Sequence, residues 1–143
     1  MADALRLDNQ LCFALHAASR AMTGAYQPLL EELDVTYPQY LVLLILWEED
    51  GARVSRLGER LYLDSATLTP LLKRLEARGL IERRRSAADE RVVEVFLTAE
   101  GRRLKRRAEE IPRAAFCKTG LSLAELTRLR ALLQELTRTL RET

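Results

Sequence analysis

The chain has 143 residues, of which 48% are hydrophobic and 31% charged, and these values are typical of one globular domain rather than a disordered segment. No apolar stretch approaches the roughly 20 residues of a membrane span, and the N-terminus lacks the features of a signal peptide, so we expect a cytoplasmic protein with no membrane partner. The net charge of +2 is unevenly distributed, because residues 1–52 carry −6 and residues 53–107 carry +7. A basic middle segment is expected of a phosphate-binding surface, although a solvated helix face has the same composition.

Two helices are predicted before residue 50. Apolar residues recur at helical spacing through residues 7–33, where Gly24 is expected to loosen the helix and start a second piece. Thr36 is a predicted N-cap, because Gln39 three residues later completes a capping box. The helix that follows, through Trp47, is apolar nearly all round and is therefore predicted to be central and buried.

The next segment has the pattern of a helix-turn-helix. A short amphipathic helix is predicted over residues 54–61, and a second helix from Ser65 to about Arg78. Asp64 or Ser65 caps the second helix, and Gly79 closes it. Pro70 lies inside this helix and is tolerable only near its start, where a missing N–H has little partner to lose.

A β-hairpin is predicted directly after these helices. Residues 80–83 and 92–97 have the composition of strands, and residues 86–91 form a charged tip between them. Residues 53–98 therefore have the layout of a winged helix-turn-helix, which presents one helix to the major groove of DNA and an arginine-bearing loop to the minor groove. The predicted fold is mainly α with a small β-hairpin wing, and its predicted partner is double-stranded operator DNA.

Helices are also predicted for the last third of the chain. Thr98 is expected to open a long helix that reaches about Phe116 and is interrupted near Pro112. A final helix begins at Leu121 or Ser122, and its leucines recur in steps of three and four, as in a heptad seam.

The terminal helices suggest a dimer. A chain of this size has little core left to cover residues 7–33 and 99–141, so we expect these helices to pack against a second copy. Packing within the chain is the alternative. Two-fold symmetry would also match the two half-sites of a typical operator. Residues 1–143 are predicted to form a single domain.

Candidate DNA contacts lie on the second helix of the motif and on the wing. Short hydroxyl side chains let a helix sit deep in the major groove, and Lys73 and Arg74 are expected to contact phosphates. Arg91 is expected in the minor groove, where a narrow width concentrates negative potential. Asp89 cannot favour phosphate and is expected to hold Arg91 or to shape the loop. Each residue alone has a simpler interpretation as solvated surface. The predicted set is Ser65, Ala66, Thr67, Thr69, Lys73, Arg74, Arg84, Arg85, Asp89 and Arg91.

The two cysteines admit two interpretations. Cys12 lies on a mostly apolar helix, where a free cysteine is usually a small buried hydrophobe. A redox sensor instead needs a thiolate, with hydrogen-bond donors nearby and an access route, and the phenols of Tyr26 and Tyr37 are candidate donors. Cys117 is predicted in the linker before the last helix. One histidine and two distant cysteines make a poor metal site, so no metal or other cofactor is predicted.

Several segments carry a resemblance to a known family. Residues 63–75 (LDSATLTPLLKRL), followed by Gly79-Leu80-Ile81 and Asp89-Glu90-Arg91, resemble the MarR family of dimeric winged-helix regulators. Residues 7–13 (LDNQLCF) and 36–40 (TYPQY) resemble its organic-hydroperoxide-sensing branch, the OhrR repressors of the two-cysteine type. The likeness spans roughly residues 7–140.

The resemblance implies roles for the cysteines. It implies that Tyr26 and Tyr37 are placed against a reactive Cys12, and that His16 occupies the position of a third family tyrosine, with a role that stays open. It also implies that Cys117 resolves the sulfenic acid of oxidised Cys12 by a disulfide with the partner subunit. The expected function is a redox-sensing repressor. Its reduced homodimer binds the operator, and organic hydroperoxides release it and derepress a peroxide-detoxification gene.

Two other functions are compatible with the residues. One is a MarR-type regulator that a small aromatic ligand releases from DNA, with the cysteines as packing residues. The other is a thiol peroxidase. The sequence disfavours this enzyme, because Cys12 is not on a strand-to-helix turn and no C-x-x-C motif or active-site arginine cluster accompanies it. The chain is therefore predicted not to be an enzyme.

Overall fold

The structure is a computed structural model that describes residues 2–142 and is mainly helical with one small sheet. The ends of the predicted domain, Met1 and Thr143, lie outside the described residues. The chain forms two compact units, one ending at Ile111 and the other beginning at Pro112. Two short 3-10 turns, Ala2–Leu5 and Leu7–Asn9, come first. The elements that follow are α1 (Leu11–Glu31), α2 (Tyr37–Glu48), β1 (Ala52–Arg53), α3 (Val54–Leu61), α4 (Ser65–Ala77), β2 (Ile81–Arg85), β3 (Val93–Leu97), α5 (Ala99–Ala108), α6 (Ile111–Thr119) and α7 (Leu123–Arg141).

Helix α1 runs without a break through Gly24 and Pro28, so the predicted second piece after Gly24 is wrong. A glycine in an exposed helix interior costs only about 1 kcal/mol relative to alanine. The packing of the C-terminal end of α1 against α2, which buries Leu30, offsets a cost of this size. Because α1 is continuous, the distance along its axis between residues at its two ends is fixed.

Helix α2 is the centre of the first unit, as predicted. The Thr36 hydroxyl accepts a hydrogen bond from the Gln39 backbone N–H, and the Gln39 side chain accepts one from the Thr36 N–H, so the predicted capping box is confirmed. Helices α3 and α4 and the sheet pack against α2. Side chains that are almost completely buried come from all of these elements, and they include Val42, Leu43, Leu46, Leu57, Leu68, Leu72, Leu75, Ile81 and Val95.

The sheet has three antiparallel strands in the order β1-β3-β2. Strands β2 and β3 pair from Ile81 opposite Leu97 to Arg85 opposite Val93, which confirms the predicted hairpin within two residues at its ends. Strand β1 was not predicted, because two residues cannot show a period. It forms where Gly51, with a φ of 83°, donates its N–H to the Val95 carbonyl at 2.9 Å.

Local caps define the remaining helices. The Thr98 hydroxyl accepts a hydrogen bond from the Gly101 N–H, which confirms the predicted start of α5. The predicted interruption lies just before Pro112, because α5 ends at Ala108 and α6 begins at Ile111. Ser122 caps α7 through a capping box with Glu125. Within residues 2–142, no helix combines the length and the apolar character that crossing a membrane requires.

Candidate DNA-binding surface and redox site

Helix α4 separates a core face from an exposed face. Its core face consists of Leu68, Leu71, Leu72 and Leu75, all of which are buried. Ser65, Ala66, Thr67, Pro70, Lys73 and Arg74 are exposed, and Thr69 is half-buried. The structure therefore brings the predicted contacts of this helix together on its solvent side.

The start of α4 is fixed by its cap and by a tight turn. Asp64 Oδ1 accepts the Thr67 N–H at 2.8 Å, and this bonding lowers the pKa of the Asp64 carboxyl. Tyr62, with a φ of 58°, ends α3 in the left-handed region. At Gly58 a Cβ atom would come within 2.8 Å of the Leu63 carbonyl oxygen, so only glycine permits this close approach of α3 to the turn.

The wing tip is organised around Asp89 and Arg91. Asp89 Oδ1 accepts hydrogen bonds from the Arg91 N–H at 3.0 Å and from Arg91 Nε at 3.2 Å, while Oδ2 accepts one from Nη2 at 3.2 Å. These bonds lower the pKa of Asp89. The Arg91 side chain is nevertheless 90% exposed. This is the contact expected of a residue that shapes the loop, and it leaves the guanidinium accessible.

The arginines of β2 point to opposite sides of the sheet. Arg83 lies on the side of α4, where its guanidinium pairs with Glu76 at 3.0 Å. Arg84 points away from α4, with its guanidinium 3.0 Å from Glu82 and 4.5 Å from the centre of the Phe96 ring. The structure thus separates Arg84 from the other predicted DNA contacts. The remaining predicted arginine, Arg85, donates to the Glu90 carbonyl in the wing at 2.8 Å.

A groove runs between α4, the start of α3 and the wing. The predicted contacts Ser65, Thr69 and Arg91 line it, together with the unpredicted residues Arg53, Ser55 and Arg83. One signal was overlooked, because strict alternation with buried Ile81 puts Arg83 on the α4 side of β2. Arg53 reaches the groove through β1, which gives no periodic signal.

Tyr26 and Tyr37 belong to an aromatic cluster. Their ring centres are 5.3 Å apart, and Tyr40 lies 5.9 Å from Tyr26 and 6.4 Å from Tyr37. Burial raises the pKa of each phenol, and that of Tyr40 to about 12. All three phenols are therefore protonated at neutral pH and able to donate hydrogen bonds. Tyr40 was overlooked, although its position three residues after Tyr37 places both on one side of α2.

Cys12 and the tyrosines are far apart within one chain. Tyr26 follows Cys12 by 14 positions on the continuous helix α1, which corresponds to about 21 Å along the axis. Both cysteines are free, exposed thiols, so Cys12 is not the buried hydrophobe that is common for a free cysteine. His16 is also exposed and lies one turn after Cys12 on the same face.

The predicted linker position of Cys117 is wrong. Cys117 lies inside α6, which continues to Thr119 and stops before Gly120, a residue with a φ of 71°. Phe116 and Cys117 have no helix-breaking character of their own, so the helix extends to the first residue that favours a left-handed backbone.

Comparisons with known proteins identify a regulator. A profile of the family described as transcriptional regulator SarA/Rot matches residues 25–108. The organic hydroperoxide resistance transcriptional regulator of Bacillus subtilis is 50% identical over 98% of this chain and 95% of its own length. The HTH-type transcriptional regulator TtmR of Methylorubrum extorquens is 53% identical over 94% of this chain and 67% of its own length.

Solved structures that are similar to this chain also include regulators, one of them bound to DNA. Reduced AbfR bound to DNA has a TM-score of 0.80 and 37% identity, and the match covers 98% of this chain and 96% of AbfR. The structure of disulfide-formed AbfR has a TM-score of 0.64 and 36% identity over 98% of this chain and 93% of AbfR. PcaV of Streptomyces coelicolor, in complex with its natural ligand, has a TM-score of 0.83 and 28% identity over 94% and 96% of the two chains.

Proposed function

The chain belongs to the MarR family of winged-helix transcriptional regulators. We propose that it is a repressor and that organic hydroperoxides cause it to dissociate from operator DNA. The inferred resemblance and the winged-helix fold are confirmed by the relatives and the solved structures. These relatives are transcriptional regulators and not enzymes, which agrees with the prediction of a non-enzyme. The proposal concerns the signal and the mechanism of release.

One observation carries the proposal. Cys12 is an exposed thiol near the start of α1, in a chain that is 50% identical to an organic hydroperoxide resistance transcriptional regulator. Because its own chain does not bury this thiol, Cys12 is not the inert structural cysteine that burial in apolar surroundings would produce.

The proposed active species is a homodimer. The N-terminal segment exposes apolar side chains, with Leu5 at 90%, Leu7 at 59% and Leu11 at 65% of their full surface. In α7, Leu132 is 65% exposed and Leu140 is 62% exposed. Apolar surface of this extent is typical of an interface, and a second copy of the chain is the occupant that we propose.

A dimer would also bring together the proposed sensing residues, which are far apart within one chain. Tyr26 lies about 21 Å along α1 from Cys12 of its own chain, and the Tyr37 ring packs against that of Tyr26. If two α1 helices cross in opposite directions, the N-terminal end of one reaches the tyrosine cluster of the other. The proposed thiol site therefore pairs Cys12 and His16 of one subunit with phenols that its partner supplies.

The proposed chemistry takes two steps. The Cys12 thiolate attacks the terminal oxygen of the hydroperoxide, the O–O bond breaks, and an alcohol leaves after it takes a proton. The Cys117 thiolate of the other subunit then attacks the sulfur of the sulfenic acid, the S–O bond breaks, and the oxygen leaves as water. The disulfide ties α1 of one subunit to α6 of the other. The two α4 helices then lose the spacing that successive major grooves require.

An operator gel shift tests this function. An operator is first selected from random DNA with the reduced protein, and wild type and Cys12→Ser are then compared with and without cumene hydroperoxide. We expect the peroxide to release wild type, a thiol reductant to restore binding, and Cys12→Ser to stay bound. Release of both proteins, or of neither, would contradict peroxide sensing through Cys12.

A second candidate signal is a small aromatic ligand. A pocket beside the tyrosine cluster is lined by Arg20, Thr23, Gln27, Thr36 and Tyr37, among others, and the similar PcaV was solved with its natural ligand. Arg20 gives this pocket a group that can pair with a carboxylate. Release of the Cys12→Ser protein from the operator by an aromatic acid would favour this candidate over the redox mechanism.

A further inference from the structure

We propose that the backbone carbonyl of Ala66 reads one base of the operator directly. Pro70 leaves this carbonyl without its donor inside α4, and we infer that it accepts a hydrogen bond from the amino group of an adenine or a cytosine in the major groove. The inference rests on DNA binding by α4 and goes beyond the family assignment, because it assigns specificity to a main-chain atom.

Because of its position in α4, Pro70 removes one regular backbone hydrogen bond of the helix. Asp64 is the N-cap, and the Leu68 N–H already donates to the Asp64 carbonyl at 3.0 Å, so the regular bonding of α4 has begun before Pro70 is reached. Pro70 is the sixth helical residue and has no N–H to donate. The carbonyl four residues before it belongs to Ala66 and therefore lacks its regular partner.

The location of this carbonyl favours a contact with DNA. At 100° per residue, Ala66 and Pro70 lie on the side of α4 opposite the buried Leu68 and Leu72. Both residues are exposed. Ala66 has only a methyl group, so its own side chain does not cover the oxygen.

The chemistry of the exposed face makes this acceptor distinctive. Lys73 and Arg74 can only donate hydrogen bonds, and the serine and threonine hydroxyls can donate or accept. The Glu76 carboxylate is paired with Arg83, and the Asp64 carboxylate caps the helix. The Ala66 carbonyl can only accept, so it can bond to adenine N6 or cytosine N4 and cannot bond to the acceptors of guanine or thymine.

The energetic cost of Pro70 in α4 also supports a role in DNA recognition. A proline in a helix interior costs about 3 kcal/mol relative to alanine. Pro70 is exposed and therefore does not recover this cost by filling the core. A residue that is unfavourable for the helix and unnecessary for the core is explained by what it does on the DNA-facing surface.

The test compares the base preferences of wild type and Pro70→Ala. Alanine restores the N–H and closes the bond to the Ala66 carbonyl, so we expect preference for adenine or cytosine at one position of each half-site to fall about tenfold. Pro28→Ala is the matched control, because Pro28 also lies inside a helix but is on α1. We expect Pro28→Ala to keep the preferences of wild type. Thermal unfolding of Pro70→Ala is measured alongside, and we expect a stability at least equal to wild type.

A base analogue completes the test. The preferred adenine is replaced by purine, or the preferred cytosine by 2-pyrimidinone, which removes only the amino group. Wild type should lose about tenfold in affinity and Pro70→Ala should lose less than twofold. Equal losses for both proteins, or unchanged preferences in Pro70→Ala, would overturn the inference while leaving the proposed function intact. Failure of wild type to select any DNA sequence would instead contradict the function.

Discussion

Arg78, the C-cap residue of α4, contacts Asp34 in the turn between α1 and α2 at two points. Its Nη1 donates a hydrogen bond to the Asp34 backbone carbonyl and lies 3.5 Å from the Asp34 carboxylate. Asp34 has a φ of 56°, so the turn holds a left-handed residue at this contact. Arg107 of α5 donates to the adjacent Glu32 carbonyl at 2.7 Å. The turn that follows the cysteine-bearing helix is therefore attached directly to the end of α4, the helix that we propose reads DNA.

We expect the two contacts of Arg78 to differ in strength. The Asp34 carboxylate is 88% exposed, and an ion pair in solvent contributes less than about 1 kcal/mol. A charged donor on a backbone carbonyl contributes about 1.5–3 kcal/mol. Arg78→Ala should therefore lower the free energy of unfolding by about 1–2 kcal/mol, and Asp34→Asn by under about 0.5 kcal/mol, because asparagine tolerates a positive φ. Urea denaturation measures both values, and equal losses would show that the carboxylate is the main partner.

Two arginines of the wing, Arg91 and Arg84, serve as a test and its control for DNA contact. Arg91 is 90% exposed at the tip, whereas Arg84 lies against Phe96 on the side of the sheet away from α4. We expect Arg91→Ala to weaken operator binding about tenfold and to reduce the slope of log affinity against log salt by about 1. Arg84→Ala should change affinity by less than twofold. Fluorescence anisotropy at several salt concentrations measures both, and equal weakening would place Arg84 at the DNA after all.

The tyrosine cluster predicts a loss of stability in alkaline solution. Burial raises the pKa of Tyr40 from 10.0 to about 12. A raised pKa in the folded state means that stability is fully present below pH 10 and is lost as the pH rises from 10 towards 12. At 1.36 kcal/mol per pKa unit, the loss is about 2–3 kcal/mol. Unfolding free energies between pH 8 and pH 12 check this expectation.

Tyr40→Phe is the control for that measurement, because it keeps the ring and removes the ionisable group. The variant should lose less stability than wild type over the same range, with a residual slope from Tyr26 and Tyr37, whose pKa values are also raised. Identical slopes for the two proteins would assign the alkaline transition to other groups.

Local signals in the sequence were sufficient for most of the fold. The boxes and caps at Thr36, Asp64 and Thr98 depend on residues within four positions, and the structure contains each of them. Strand β1 depends on pairing with β3, more than 40 positions away, and two residues carry no period of their own. The sequence therefore predicted the elements that form from their own residues and missed the one that other elements create.

The candidate redox site shows a second limit. The sequence suggested Cys12, Tyr26 and Tyr37, and it predicted a second helical piece after Gly24. The structure instead has one continuous helix through these positions. A helix of this length separates Cys12 from Tyr26 by about 21 Å, so any contact between them requires two chains. A pattern within one chain contains no direct information about which chain supplies each residue.

The proposed disulfide gives the last prediction. Both thiols are exposed, one on α1 and one on α6, and the proposal joins them between subunits. After cumene hydroperoxide treatment, a non-reducing gel should show a covalent dimer for wild type and only monomer for Cys12→Ser and Cys117→Ser.

The fate of Cys12 separates the two steps of the proposed chemistry. In Cys117→Ser no second thiol intercepts the sulfenic acid, so mass spectrometry should find Cys12 carried on to the sulfinic acid, whereas wild type should resist this overoxidation. A dimer band that persists in Cys117→Ser would mean that two Cys12 thiols join each other. A wild type that stays monomeric on the gel while it releases DNA would assign release to the sulfenic acid and exclude the disulfide step. The redox signal would then act through the surroundings of Cys12 alone, without a covalent link between α1 and α6.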